Sequence, residues 1–310
     1  MLKVHDETNL EKCKELWNRF SFREHLFDLW EMRYSVQAAY NFPLHFKVVT
    51  RNDEPVAFLP LWYSPDKKFY EFFGGLFPEE NSFYCQDAGL IPELVGMVPS
   101  PAELCGIDPR RMPAGFDQSL FEKDETKYTL FLDKPHTMDE LLARFDKKAR
   151  YNLRTAYRDI MDLNPTVEYV HEYEEFEKYM WMLRDLSMGR FTKPEDLSSF
   201  ADEREVKGYL ELFKLQGEFE LGLFVVKIGG HVGAIDIVAM YKNYYYMFTG
   251  ANDLNRFPGI GMYMVYLEFA DAMKRGSTVV DCLQGDFGWK HRYFNGYPLL
   301  KLVKKESSPA

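Results

Sequence analysis

The stretch from Tyr244 to Gln284 constrains this chain most, because it reads as strand, glycine turn, helix and strand in immediate succession. YYYMFTGA has the aromatic content of a strand. Arg256-Phe257-Pro258-Gly259-Ile260-Gly261 follows it. A helix then begins at once with MYMVYLEFADAMKRG, closed by Gly276, and STVVDCLQ is the next strand. A helix start presents unpaired backbone N–H groups and the positive end of a dipole. Glycines let a phosphate approach that backbone closely, Arg256 adds a side-chain charge, and Pro258 stiffens the approach. This is the physical recipe for an anion site. A plain strand-to-helix turn also uses glycine. The pattern fits neither G-x-x-x-x-G-K-[ST] nor G-x-G-x-x-G, which argues against a nucleotide triphosphatase or a Rossmann dinucleotide site.

Around this block the periodicities give the rest of the chain. Residues 9–20 and 22–39 read as helices, with apolar residues spaced at three and four. LHFKVVT, the turn RNDEP and VAFLPLWYS form a hairpin, and KFYEFFGG is a third strand. Residues 76–127 are rich in Pro, Gly and acidic residues and are expected to be loops and short elements. KYTLFLD, at 127–133, is a strand. A helix is expected over 137–161, opened by a Thr137/Glu140 capping box, and further helices over 173–188 and 202–215. FELGLFVVKI and HVGAIDIVAMYKN are joined by Gly229-Gly230, a strong hairpin signal. GWKHRYFN reads as a last helical segment and LLKLVKK as a last strand. The class is α+β: helices, then mostly antiparallel strands, in each of two domains, 1–135 and 136–310.

Composition sets limits on partners. At net charge -10 the surface repels nucleic acid and anionic membranes unless a basic patch is concentrated somewhere. Cys13, Cys85, Cys105 and Cys282 form no C-x-x-C pair and have no clustered histidines. Reduced thiols in a cytoplasmic protein are therefore expected, and no metal. Neither a secretory signal nor a membrane span is expected from the hydropathy.

The spacing R-x-x-G-x-G, placed between strand and helix after a meander, resembles the pyrophosphate loop of the GNAT acyltransferase superfamily. DCLQGDFGWKHRYFN resembles the G-D-x-x-Y-K-x-R signature of the CelD/BcsL-type and FemAB-like acyltransferases. Gly285, Asp286, Lys290 and Arg292 match it, while Trp289 stands where that family usually has Tyr. DKKARYNLRTAYRDI is similar to the family's basic K-x-R-x-N-L-R segment through Lys148, Arg150, Asn152, Leu153 and Arg154. The resemblance implies two fused GNAT-like domains and an acyl-CoA donor held by Arg256, Phe257, Gly259, Ile260 and Gly261. The strand ahead of the loop, from Phe248 to Gly250, would polarise the thioester.

Amide-forming acyl transfer needs a held thioester, a deprotonated amine and help for the leaving group. Asp236, mid-strand in GAIDIVAM, is a candidate base; so is Asp286, just past a strand end. Lys290 would pair with Asp286 at i,i+4. Each also has a structural reading: a solvent-facing strand residue for Asp236, a helix N-cap for Asp286. Arg292, Trp289, Tyr245, Arg150 and Arg154 are candidate substrate contacts, and Lys147, Arg150, Arg154 and Arg158 share a helix face. The expected activity is N-acyl transfer from acyl-CoA to an amine of a small molecule or sugar. The alternatives are a FemAB-like transferase using aminoacyl-tRNA on a peptide or cell-wall precursor, and a non-catalytic binding module. The sequence leaves the oligomeric state open.

Overall fold

The structure, a computed structural model, describes residues 2–85, 87–112, 117–132, 137–189 and 198–306. The chain packs into two compact units, Met1–Thr126 with Tyr297–Ala310, and Lys127–Gly296. The expected boundary at 135–136 lies outside the described residues. The division falls earlier, and the final strand returns to the first unit. The class is α+β, with mostly antiparallel pairing and one parallel strand pair among the described strands of each unit.

In the first unit β1 (Leu2–Glu7) precedes α1 (Leu10–Phe20) and α2 (Trp30–Tyr40). The strands β2 (Phe46–Arg51) and β3 (Glu54–Leu59) are joined by Asn52 and Asp53, both with positive φ, as a tight two-residue hairpin requires. β1-β2-β3 is an antiparallel meander, extended by the short β6 (Tyr84–Cys85). A second ladder contains β4 (Leu61–Ser64), β5 (Phe69–Phe72) and β7 (Ala102–Ile107), with α3 (Ile91–Met97) preceding β7. From Tyr297 onward β14 (Asn295–Lys304) pairs with β7 antiparallel. The helix expected at 22–39 starts only at Trp30. Arg23 takes φ 52°, and the Asp28 carboxylate captures the N–H groups of Glu24 and His25, so the chain turns before it coils. The stretch expected as loops and short elements, 76–127, contains α3, β7 and the start of β8 (Glu122–Phe131).

In the second unit the helix expected over 137–161 is two helices, α4 (Met138–Ala143) and α5 (Lys147–Met161). Thr137 caps α4 by accepting from Glu140 N, while Asp146 starts α5 afresh by accepting from Ala149 N at 2.8 Å. Then come β9 (Thr166–Val170), α6 (Tyr173–Met188), α7 (Glu203–Lys214), β10 (Glu220–Ile228), β11 (His231–Tyr241), β12 (Tyr244–Asn252), α8 (Ile260–Lys274) and β13 (Val279–Gln284). The spatial order is β8-β13-β12-β11-β10-β9. The β10–β11 turn is Gly229-Gly230, with φ 57° and 80°, as a primed hairpin turn demands. Sequence periodicity missed β9, which is too short to show a period beside α6. GWKHRYFN yields a single turn at Lys290–Arg292. Leu153 and Ile160 of α5 join Ile260, Met264 and Phe269 of α8 in one core with Val226, Ala234, Val238 and Tyr245 of the sheet.

Candidate active site

β12 and β13 run parallel, but they pair only through Tyr244–Val279, Tyr245–Val280 and Tyr246–Asp281. Beyond that the strands part. Two local irregularities accompany the parting. In β12 the register with β11 jumps from Ile237–Thr249 to Val238–Met247, so Phe248 bulges out of the ladder. In β13 the register with β8 breaks between Asp281 and Gln284, and Leu283 takes φ 59°. Asp281, the last paired residue, is fully buried and binds the equally buried Lys127 ammonium at 2.9 Å. The backbone of β12 from Met247 onward thus faces no strand on the β13 side. A fork at the carboxyl ends of parallel strands is where open sheets place their ligands.

The glycine loop lies at the same end. Phe257 N donates to Asp253 O at 2.9 Å and Arg256 N to Asp253 Oδ1 at 3.0 Å, which closes the turn. Gly259 caps α8 in the left-handed region (φ 89°). Its carbonyl accepts from Met262 and Tyr263, and Ile260 N donates to Phe257 O. Among the described residues, no acceptor meets the N–H of Gly259 or Gly261. Phe257 and Ile260 are buried and pack onto Gly233 of β11, where a Cβ would collide with both. Phe257 and Ile260 therefore anchor the loop, while Gly259 and Gly261 are part-exposed and Arg256 is exposed.

Helix α5 ties this loop to the second motif. Its Ala156 lies next to Gly259, 3.8 Å from where a Cβ would stand, and its Ala149 carbonyl accepts from Tyr293 Oη at 3.4 Å. The two contacts are about 10 Å apart along the helix. The basic segment of α5 and the Gly285–Arg292 signature, remote in sequence, therefore meet. The outer face of α5 presents Lys147, Lys148, Arg150, Tyr151, Arg154, Thr155 and Arg158 together. Arg154 pairs with Asp139 and Arg158 with Asp159. Among the described residues, Lys147, Lys148 and Arg150 have no carboxylate partner.

The other expected residues fall into distinct surroundings. Lys290 is buried, and its ammonium donates to Cys282 O (2.5 Å) and Gln284 O (2.6 Å) instead of pairing with Asp286. It fastens the kinked end of β13. Asp286 instead accepts from His291 N at 2.9 Å and meets His291 Nδ1 at 2.7 Å. Burial alone would raise the Asp286 pKa, but these bonds outweigh it and hold the carboxyl below its ordinary value. Asp236 shares the α8-facing side of β11 with Ala234 and Val238. It lies across Gly250, where any Cβ would overlap its carboxylate. The solvent-facing alternative for Asp236 therefore does not hold. Tyr245 was expected at the substrate, yet it is fully buried beneath α8. Alternation along β12 turns it into the core, and Phe248 contacts Tyr209 and Tyr246 on the opposite face. Trp289 packs on Tyr293 and Phe294, and Arg292 is exposed. Sequence reasoning missed Glu268, a buried carboxyl on α8. Burial, then the nearby Asp236 and Asp271, push its pKa well above the ordinary value. It also missed Tyr293, whose link to α5 no spacing reveals.

Residues 147–291 match the acetyltransferase (GNAT) domain family. No curated protein sequence matches the chain. Among solved structures it is similar to FemX, at 13% identity over 97% of both chains and a TM-score of 0.55. L-PGS from Bacillus licheniformis is 12% identical over 99% of this chain and 95% of that one, with a TM-score of 0.57. A tandem GNAT protein from the clavulanic acid biosynthesis pathway is 9% identical over 99% and 100%, with a TM-score of 0.55. These identities speak to the fold, and the family match over 147–291 supports acyl transfer as the activity. Residues 147–291, which carry the forked strands, the glycine loop and α5, match the GNAT domain family, and the chain shares its fold with FemX and with a tandem GNAT protein.

Proposed function

We propose that the chain is an N-acyltransferase that moves an acyl group from acyl-CoA to the amine of a small-molecule or sugar acceptor. The observation that carries this reading is the fork between β12 and β13 opening beside the unpaired N–H groups of Gly259 and Gly261. A pyrophosphate would take those two amides and the Arg256 guanidinium, with the helix dipole behind them. The pantetheine arm would then run into the fork. There the β12 backbone from Phe248 to Gly250 would bind the thioester carbonyl and stabilise the oxyanion that forms on attack. Asp236 fits a supporting role, because it fixes the glycine end of β12. Lys290 does likewise at the end of β13. Asp286 stands in the open. The four unpaired cysteines are consistent with a reducing, cytoplasmic setting.

The test is thiol release from acetyl-CoA and longer acyl-CoAs, with amino sugars and amino acids as acceptors. Amine-dependent release supports the reading; none with any acyl-CoA contradicts it. One observation favours a second reading, an aminoacyl-tRNA donor. The cations of α5 recur at helical spacing around the exposed Tyr151, as a phosphodiester backbone with a stacking base would want. Salt-sensitive tRNA binding that disappears in the double variant Arg150→Glu, Arg154→Glu would favour this reading. Absence of tRNA binding at low salt would remove it.

A further inference from the structure

The loop that follows β13 is folded unusually tightly. Gly285 (φ 76°), Phe287 (φ 49°) and Gly288 (φ 76°) are all left-handed, and Lys290 staples the start of the loop through the Cys282 and Gln284 carbonyls. The effect is to turn the Asp286 carboxylate back onto residue 291. One oxygen takes the His291 N–H at 2.9 Å and the other meets His291 Nδ1 at 2.7 Å. A carboxylate on Nδ1 fixes the neutral imidazole with its proton there, so Nε2 is left as a lone-pair acceptor. The His291 ring is half-exposed, so Nε2 is open to a reactant. The loop sits at the carboxyl end of the parallel pair, where the fork opens, and Tyr293 ties it to α5.

We propose that His291, oriented by Asp286, is the general base that takes the proton of the acceptor amine. This rests on the acyl-CoA reading above and adds to it the group that performs the proton transfer. In the balanced step Nε2 accepts a proton from the acceptor's ammonium. The amine lone pair then forms a C–N bond to the thioester carbon, and the C–S bond breaks with its electrons going to sulfur. The second amine proton and the one held on His291 are shared between the leaving thiolate and solvent. The net products are amide, CoA thiol and one proton. Asp286 is a positioning residue, and Asp236 and Lys290 hold the two strand ends. The charged groups around the imidazole are Asp286, Lys290 and Arg292 on its own segment. From α5 it is Asp146, which like Arg292 acts on the adjacent Tyr293.

The test combines CoA-induced thermal shift with thiol release from acetyl-CoA, using water and then glucosamine as acceptors, across pH. His291→Gln should keep the CoA shift, lose thiol release about 100-fold or more, and lose the acid limb of the rate profile. Asp286→Asn should keep the CoA shift and lose less thiol release than His291→Gln, because the imidazole loses only the group that orients it. His171→Gln, an exposed histidine elsewhere in the unit, should change neither. Full thiol release with an unchanged acid limb in His291→Gln overturns the proposal, as does wild-type protein that binds CoA but releases no thiol above the solution rate. Wild-type protein that shows no CoA shift fails the acyl-CoA reading itself, and the proposal falls with it.

Discussion

Each unit contains one parallel strand pair with a helix between its strands, and the two differ in what that helix offers. In the first unit β5 and β7 meet at Tyr70 and Ala102, with the seven-residue α3 between them. α3 has Pro92, with no N–H to give, as its second residue, and the residue before the helix, Leu90, is buried. In the second unit β12 and β13 are joined through α8, fifteen residues long, whose cap is the left-handed Gly259 beside two unclaimed amides. The charges differ in the same sense. The first unit turns its polar side chains inward: buried Arg33 donates to the Phe27, Phe73 and Glu80 carbonyls and to Asn81, and Arg111 binds Asp28 and Glu80. The second unit leaves Arg256, Arg292, Lys147, Lys148 and Arg150 in solvent. A cation satisfied by its own fold has nothing left for a ligand. The first unit thus satisfies these cations inside its own fold, while these five of the second unit stay available to the ligand proposed above.

The sharpest way to break that contrast is to change one charge in each unit. Arg111→Met should strand the buried Asp28 and Glu80 carboxylates and cost about 3–5 kcal/mol by chemical denaturation. If it costs nothing, the first unit's charges are not structural. Next in size, Gly261→Glu should weaken CoA binding about 10–100-fold, because a carboxylate takes the place of the phosphate among the amides. Stability should change little, since the side chain meets only the movable Asn252 amide. Unchanged CoA affinity would sink the loop assignment.

How much of this was legible in the sequence depends on how local the cause was. The Gly229-Gly230 hairpin, the RNDEP turn and the Thr137 cap were readable because a few adjacent residues decide them. So was the glycine loop, whose recipe is contiguous. The break inside 137–161 was also local, yet the apolar period ran through it and hid the Asp146 cap. The wider site was legible only as separate pieces. Nothing in the spacing says that Tyr293 reaches Ala149, that Lys290 chooses two carbonyls over Asp286, or that Tyr245 turns inward. Tyr245 turns inward through the register of β12 with β11, and the ends of β12 and β13 are shaped by the bulge at Phe248 and the kink at Leu283, each a single-residue register shift.

Two smaller effects refine the second unit. Burial, then Asp236 and Asp271, raise the Glu268 pKa well above its ordinary value, so the native state binds its proton more tightly than the unfolded chain does. Its contribution is therefore fully favourable below the unfolded carboxyl pKa and is lost as pH rises toward the raised folded value. Glu268→Gln should flatten this dependence and raise the melting temperature by a few degrees above neutral pH, with little change under acid conditions. An unchanged pH dependence would mean that Glu268 is not held neutral. Smallest of all, Arg256→Ala should leave stability within about 0.5 kcal/mol and weaken CoA a fewfold at low salt, the difference fading as salt screens it.

The most direct measurement is the melting temperature of the intact chain with and without CoA or acetyl-CoA. A ligand that binds the native state at a hundred times its Kd adds about 2.7 kcal/mol of stability. The predicted result is a clear upward shift with both ligands that is absent in Gly261→Glu. A wild-type chain that melts at the same temperature with and without them would contradict the acyl-CoA site at the Arg256–Gly261 loop.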